Sequence, residues 1–205
     1  GYPLDMALSP DGIKMAVSYM RVNGNKISTH IAFYNFGSAG QMELNNQVGE
    51  LNVDDVLAPQ IFFCDNSTAV AVRTDGFTVF SGSQSPKEKK TVKFDQEIIS
   101  TFHDGNRIGF VFDGGDSGHK YLMKVYNTGG KNTMQKYFDL QYNSITLQKD
   151  KIVLFNEKEF AIYKLNGQKT FQGKYRKPIQ NVLSIRGFRK YMVITEDSAD
   201  LIRLG

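Results

Sequence analysis

Leu8-Ser9-Pro10-Asp11-Gly12-Ile13-Lys14-Met15-Ala16-Val17 reads as a strand, a tight turn and a second strand. Asp and Gly tolerate the left-handed or bridge-region backbone that such a turn needs, and apolar residues follow at once. Turns of the same kind recur at Asp65-Asn66, Asp104-Gly105-Asn106, Lys149-Asp150 and Gly187-Phe188. Each runs into a dense apolar segment, at 69–72, 108–112, 152–155 and 191–194. Runs of that kind suit strands buried on both faces.

A second marker keeps phase with the first. Apolar strands run into Gly37, Gly82, Gly129, Gly167 and Gly205, which are spaced by 38 to 47 residues. That period belongs to four-stranded propeller blades. The spacing therefore predicts an all-β chain: a β-propeller of five repeats of a four-stranded antiparallel blade, or an arc of a larger propeller. One domain is expected over residues 1–205, with repeats near 2–37, 48–82, 89–129, 133–167 and 168–205. Leading strands are placed at 49–53, 91–94, 134–140 and 169–175. On that reading the first repeat lacks its innermost strand, and its open end invites pairing with a second copy of the chain.

Composition agrees with β structure. There are 15 Phe and 10 Tyr but no Trp, with 19 Gly and only 5 Pro. The net charge of +4 is mildly basic and speaks first to solubility. Cys64 is the one cysteine, so no internal disulfide is possible, and its apolar surroundings read as those of a small buried hydrophobe. No apolar run reaches the roughly 18 residues of a membrane span.

The hairpin Ser9-Pro10-Asp11-Gly12, followed by Met15-Ala16-Val17-Ser18-Tyr19, resembles that of WD-repeat-like and TolB-like propellers. Continued through residues 29–37, it is similar to an uncharacterised propeller family of Clostridia-type Gram-positive bacteria. The resemblance implies a protein held by one N-terminal membrane helix, upstream of the residues here, with the propeller outside the cell. It carries over no catalytic residues. Without Trp, the chain departs from the Trp-Asp pair of the WD repeat.

Few residues carry candidate chemistry. His30, His103 and His119 fall in a strand, a turn and a long hairpin tip, a poor basis for a shared metal site. In the tip itself, Asp113 and Asp116 alternate with glycines and offer oxygens to Ca²⁺, although the EF-hand spacing is missing. Asp54-Asp55 and Glu196-Asp197 with Asp200 read as solvated turn carboxylates. Basic residues interleave with aromatics at Lys174, Tyr175, Arg176 and Lys177, and again between Arg186 and Arg189. Such a patch can follow a chain of anions; on an envelope protein teichoic acids or lipid headgroups are the natural ones, and nucleic acid is not. The expected function is a non-enzymatic extracellular scaffold that binds a protein or an envelope polymer. The alternatives are a hydrolase or lyase with carboxylates and His at a central channel, or a basic surface for an anionic polymer.

Overall fold

The turn at Asp11 and Gly12 closes as its residues dictate. The Ser9 hydroxyl donates to Asp11 Oδ1 at 2.5 Å and accepts the Lys14 amide at 2.9 Å, while the Ile13 amide donates to Asp11 Oδ1 at 3.1 Å. These bonds hold the Asp11 carboxyl below its ordinary value, the Ser9 hydroxyl most of all. Gly12 takes φ +72°, a backbone conformation that side chains rarely adopt. This turn joins β1 (Tyr2–Leu8) to β2 (Lys14–Asn23) in a computed structural model that describes residues 1–41, 43–185 and 189–204.

The chain continues as five antiparallel sheets, each a blade built from consecutive strands. Blade 1 adds β3 (Lys26–Asn35) and β4 (Gln47–Asp54). Blade 2 holds β5 (Gln60–Phe63), β6 (Thr68–Arg73), β7 (Gly76–Ser81) and β8 (Lys87–Lys93). Blade 3 holds β9 (Ser100–Asp104), β10 (Arg107–Asp113), β11 (Tyr121–Asn127) and β12 (Asn132–Phe138). Blade 4 holds β13 (Ser144–Gln148), β14 (Lys151–Phe155), β15 (Glu159–Lys164) and β16 (Lys169–Lys174). Blade 5 holds β17 (Asn181–Ser184), β18 (Lys190–Ile194) and β19 (Ala199–Arg203).

The strand phase differs from the one expected. β4, β8, β12 and β16 do not open the blade that follows; each pairs with the strand before it, as in Ala161 with Gln172. Blade 1 is therefore complete, and blade 5 has three strands among the described residues. The physical reason lies in the short connections before β12 and β16, which return the chain as a hairpin against its predecessor.

The strands form two compact units, one of Gly1–Ile98 with Thr128–Lys131 and one of Ile99–Asn127 with Asn132–Gly205. In the first, Ala16, Ile31 and Phe33 of blade 1 pack on Ile61, Ala71 and Phe80 of blade 2, with the Phe33 and Phe80 rings 4.8 Å apart. The Ile61 amide donates to Asp5 Oδ2 at 2.8 Å, so β1 turns Asp5 towards blade 2. Met6 and Leu8 alternate to the other face, 70% and 61% exposed.

In the second unit β14 is buried on both sides. Ile152 and Leu154 meet blade 3, while Val153 and Phe155 meet blade 5, which accounts for its unbroken apolar run. β18 is buried on one side only: Tyr191 and Val193 are buried and Met192 is not. No helix among the described residues is long and apolar enough to cross a membrane.

Candidate functional site

The face that blade 4 turns to blade 5 is laid out in rows across β14, β15 and β16. Phe155, Phe160 and Gly173 make one row, and Val153, Ile162 and Phe171 the next. These rows pack on Ile179, Val182, Tyr191 and Val193 of blade 5. Side chains alternate along a strand, so the residue two places on returns to the same face. On β14 and β15 that residue is a lysine: Lys151 and Lys164 are direct cross-strand partners. On β16 a bulge shifts the register between Ile162 and Tyr163, so Lys169 comes opposite Tyr163, one step short of Lys164. The apolar face thus ends in a row of three lysines.

Beyond that row the blades part and enclose a cavity of about 710 Å³. Blade 4 contributes Lys149, Lys151, Lys164 and Lys169, and blade 5 contributes Arg189 and Lys190. Asp150 is the one carboxylate lining it among the described residues, and Lys151 already holds it. That contact is the largest cause of the lowered Asp150 carboxyl. Two of the other ammonium groups have neutral partners: Lys164 Nζ donates to Gln168 Oε1 at 2.9 Å and Lys169 Nζ to Gln172 Oε1 at 2.8 Å.

The Gln148 side chain bridges blades 4 and 5 beside this opening. Its Nε2 donates to the Val182 carbonyl at 2.8 Å, and its Oε1 accepts the Ser184 amide at 2.6 Å. One amide thereby ties β17 to the end of β13. The turn that follows is tied to blade 3, where Asp104 Oδ2 accepts the Lys149 amide at 2.7 Å. Tyr191 lines the cavity from blade 5; burial first, then the Asp150 charge, pushes its phenol above the ordinary value. It stays protonated at neutral pH and retains a hydroxyl that can donate.

The residues singled out from sequence divide between the two ends of blades 4 and 5. Arg189 sits at the cavity, whereas Lys174 closes β16 at the far end, about 15 Å away along the strands. The basic run there meets the acidic cluster read as solvated. The Tyr175 hydroxyl donates to Asp200 Oδ2 at 2.5 Å, Arg176 lies 3.5 Å from the same carboxylate, and Lys177 lies 3.0 Å from Asp197. Lys174 stands opposite Glu159. Cations are therefore matched by carboxylates at one end and outnumber them at the other. Arg186 lies outside the described residues, as does the Gly187-Phe188 turn.

None of the other candidates lines this cavity. Asp113 Oδ1 accepts the Gly115 amide at 2.7 Å, and among the described residues no three His, Cys, Asp or Glu side chains gather as a metal site needs. His30 is buried with Nδ1 at 2.8 Å from Asn52 Oδ1. His119 Nδ1 lies 2.8 Å from Asp139 in an exposed pair, away from the cavity. Burial pushes the Cys64 thiol up to about 12, so it is no nucleophile at neutral pH.

Residues 1–204 match one protein family, described as a family of unknown function (DUF5711). The chain belongs to that family. No curated protein matches it. Solved structures similar to this DUF5711 chain are WD40-like and β-propeller proteins at low identity, which shows the fold alone. Sqt1 from Chaetomium thermophilum aligns over 94% of this chain and 55% of its own, with 11% identity and a TM-score of 0.63. Hsv2 from Kluyvelomyces marxianus aligns over 98% and 62%, with 12% identity and a TM-score of 0.54. BBS1N, solved in complex with ARL6DN, aligns over 88% and 58%, with 10% identity and a TM-score of 0.53. The chain spans less than two thirds of each of these structures. It is an all-β, propeller-type member of DUF5711.

Proposed function

We propose that this chain is a non-enzymatic binding scaffold whose ligand is an anionic polymer, seated in the lysine-lined cavity between blades 4 and 5. One observation carries the reading: six cationic side chains line the cavity against a single carboxylate, and that carboxylate is already paired. A polyanion releases its own counter-ions on contact with such a site, so binding gains free energy and is steeply weakened by salt. The resemblance to an anchored envelope family supports placing the cavity outside the cell, on a protein held by an upstream membrane helix, with an envelope polymer as the natural ligand. A protein partner is the second reading, favoured by the propeller fold that this chain has in common with BBS1N, which was solved with a bound protein.

The test is fluorescence anisotropy with labelled polyphosphate, heparin and neutral dextran at several salt concentrations. Both polyanions should bind, with the logarithm of the affinity falling linearly against that of salt, and dextran should not. Unchanged binding by Lys149→Gln/Lys190→Gln would remove the cavity from the account.

A further inference from the structure

Three lysines side by side on adjacent strands are a costly arrangement. Like charges directly opposite each other in an antiparallel pair are destabilising, yet Lys151 faces Lys164 across β14 and β15, and Lys169 follows on β16. A single acid on either flanking strand would relieve the repulsion, as Glu159 stands opposite Lys174 at the far end of the same β15–β16 pair. At this end Asp150, in the turn, pairs with Lys151, and the partners of Lys164 and Lys169 are uncharged glutamine amides. Local conflict kept where a simple substitution would remove it points to a bound group that completes the charge balance.

The geometry of the row says what that group is. Neighbouring strands lie about 4.8 Å apart, so lysines on three adjacent strands span roughly 10 Å at right angles to the strands. A lone anion reaches one or two of them; a linear chain bearing anions in series reaches all three. Lysine narrows the class further. Its ammonium is a compact point charge with three rotatable donors that can meet anion oxygens from several directions, where the arginine fork favours one flat edge. Ammonium groups that approach from successive strands suit a tetrahedral anion with oxygens pointing in several directions. From the facing wall, Ser184 and Tyr191 add hydroxyls to the same space.

We propose that the cavity takes a linear chain of phosphate groups, laid across β14, β15 and β16 so that successive phosphates meet Lys151, Lys164 and Lys169. This rests on the anionic-polymer reading and specifies its ligand class. The chain is a polyphosphate or a phosphodiester polymer, the two sharing the same recognition chemistry.

Isothermal titration with orthophosphate, tripolyphosphate, a glycerol-phosphate oligomer and a polyglutamate of matched charge tests it. The two serial phosphates should bind at least about a hundredfold tighter than orthophosphate, through effective concentration along the chain, and about tenfold tighter than polyglutamate. Which of the two binds tighter identifies the source of the phosphates. Each of Lys151→Gln, Lys164→Gln and Lys169→Gln should weaken serial phosphates about five- to tenfold and flatten the salt slope by about one. Lys164→Gln has a second signature: with its like-charged neighbour relieved, the ligand-free protein should melt at a higher temperature than the parent while binding worse. A residue kept for structure alone would lower the melting temperature instead. Polyglutamate bound as tightly as the serial phosphates overturns the phosphate assignment, and orthophosphate bound as tightly as tripolyphosphate overturns the serial one; both results leave the anionic-polymer reading standing. Binding of none of the four overturns both.

Discussion

Gly109 shows how a single residue serves the blade stack. It sits inside the apolar run of β10, where a side chain would be expected to pack. A Cβ there would stand 2.1 Å from the Phe102 ring, which is itself 4% exposed and part of the core between blades 3 and 4. The glycine is a seat for that ring. Gly109→Ala should therefore lower the unfolding free energy by roughly 1–3 kcal/mol, the usual cost of overpacking, read as a lower urea midpoint at unchanged m-value. Nothing in the string Ile108-Gly109-Phe110 reveals the ring, because Phe102 reaches it from β9 by cross-strand pairing. The Asp11 turn lies at the opposite extreme, since its acceptor, its glycine and its hydroxyl are all within six residues of one another.

Among the elements, those with a strong apolar pattern were legible and the edge strands were not. β6, β10 and β14 are buried on both faces and stand out as unbroken apolar runs. β8 is exposed along its first four residues and β16 alternates in exposure; both are rich in lysine, and little in their composition says which neighbour they pair with. Lysines also suit β8 as an edge, where charge discourages pairing with another chain. β1 has no such protection on one face. Met6 and Leu8 are largely exposed there, an apolar surface prone to association. Met6→Lys with Leu8→Lys should leave the circular dichroism spectrum and the urea midpoint within about 0.5 kcal/mol of the parent. It should also shift light scattering towards monomer. A large loss of stability would mean that this face is packed in the protein.

Across the whole molecule, carboxylates set the response to acid. Asp11, Asp65, Asp139, Asp150, Asp197 and Asp200 all have their carboxyls held below the ordinary 3.8, mostly by neighbouring hydrogen bonds. A depressed folded-state value means stability that is fully present above 3.8 and is lost as pH falls through the lower folded values. The urea midpoint should accordingly hold between pH 7 and 5 and drop below pH 4. A flat profile to pH 3 would show that these turn bonds contribute nothing. The cavity belongs to this scale as well, and that is why sequence reading missed most of it. Its cationic residues come two at a time from three separated turns, whereas a reader of sequence is drawn to runs such as 174–177. The available signal was positional: Lys149 and Lys151 bracket one turn, and Lys164 and Lys169 bracket the next.

Because each fourth strand pairs back onto its own hairpin, each of the five sheets among the described residues is made from one continuous stretch of chain. Pairing partners within a blade are then close in sequence, so little loop entropy is lost before they meet. A blade is complete as soon as its last strand leaves the ribosome, and its apolar face is ready to template the next. The order of the blades along the chain is also the order in which they can be born.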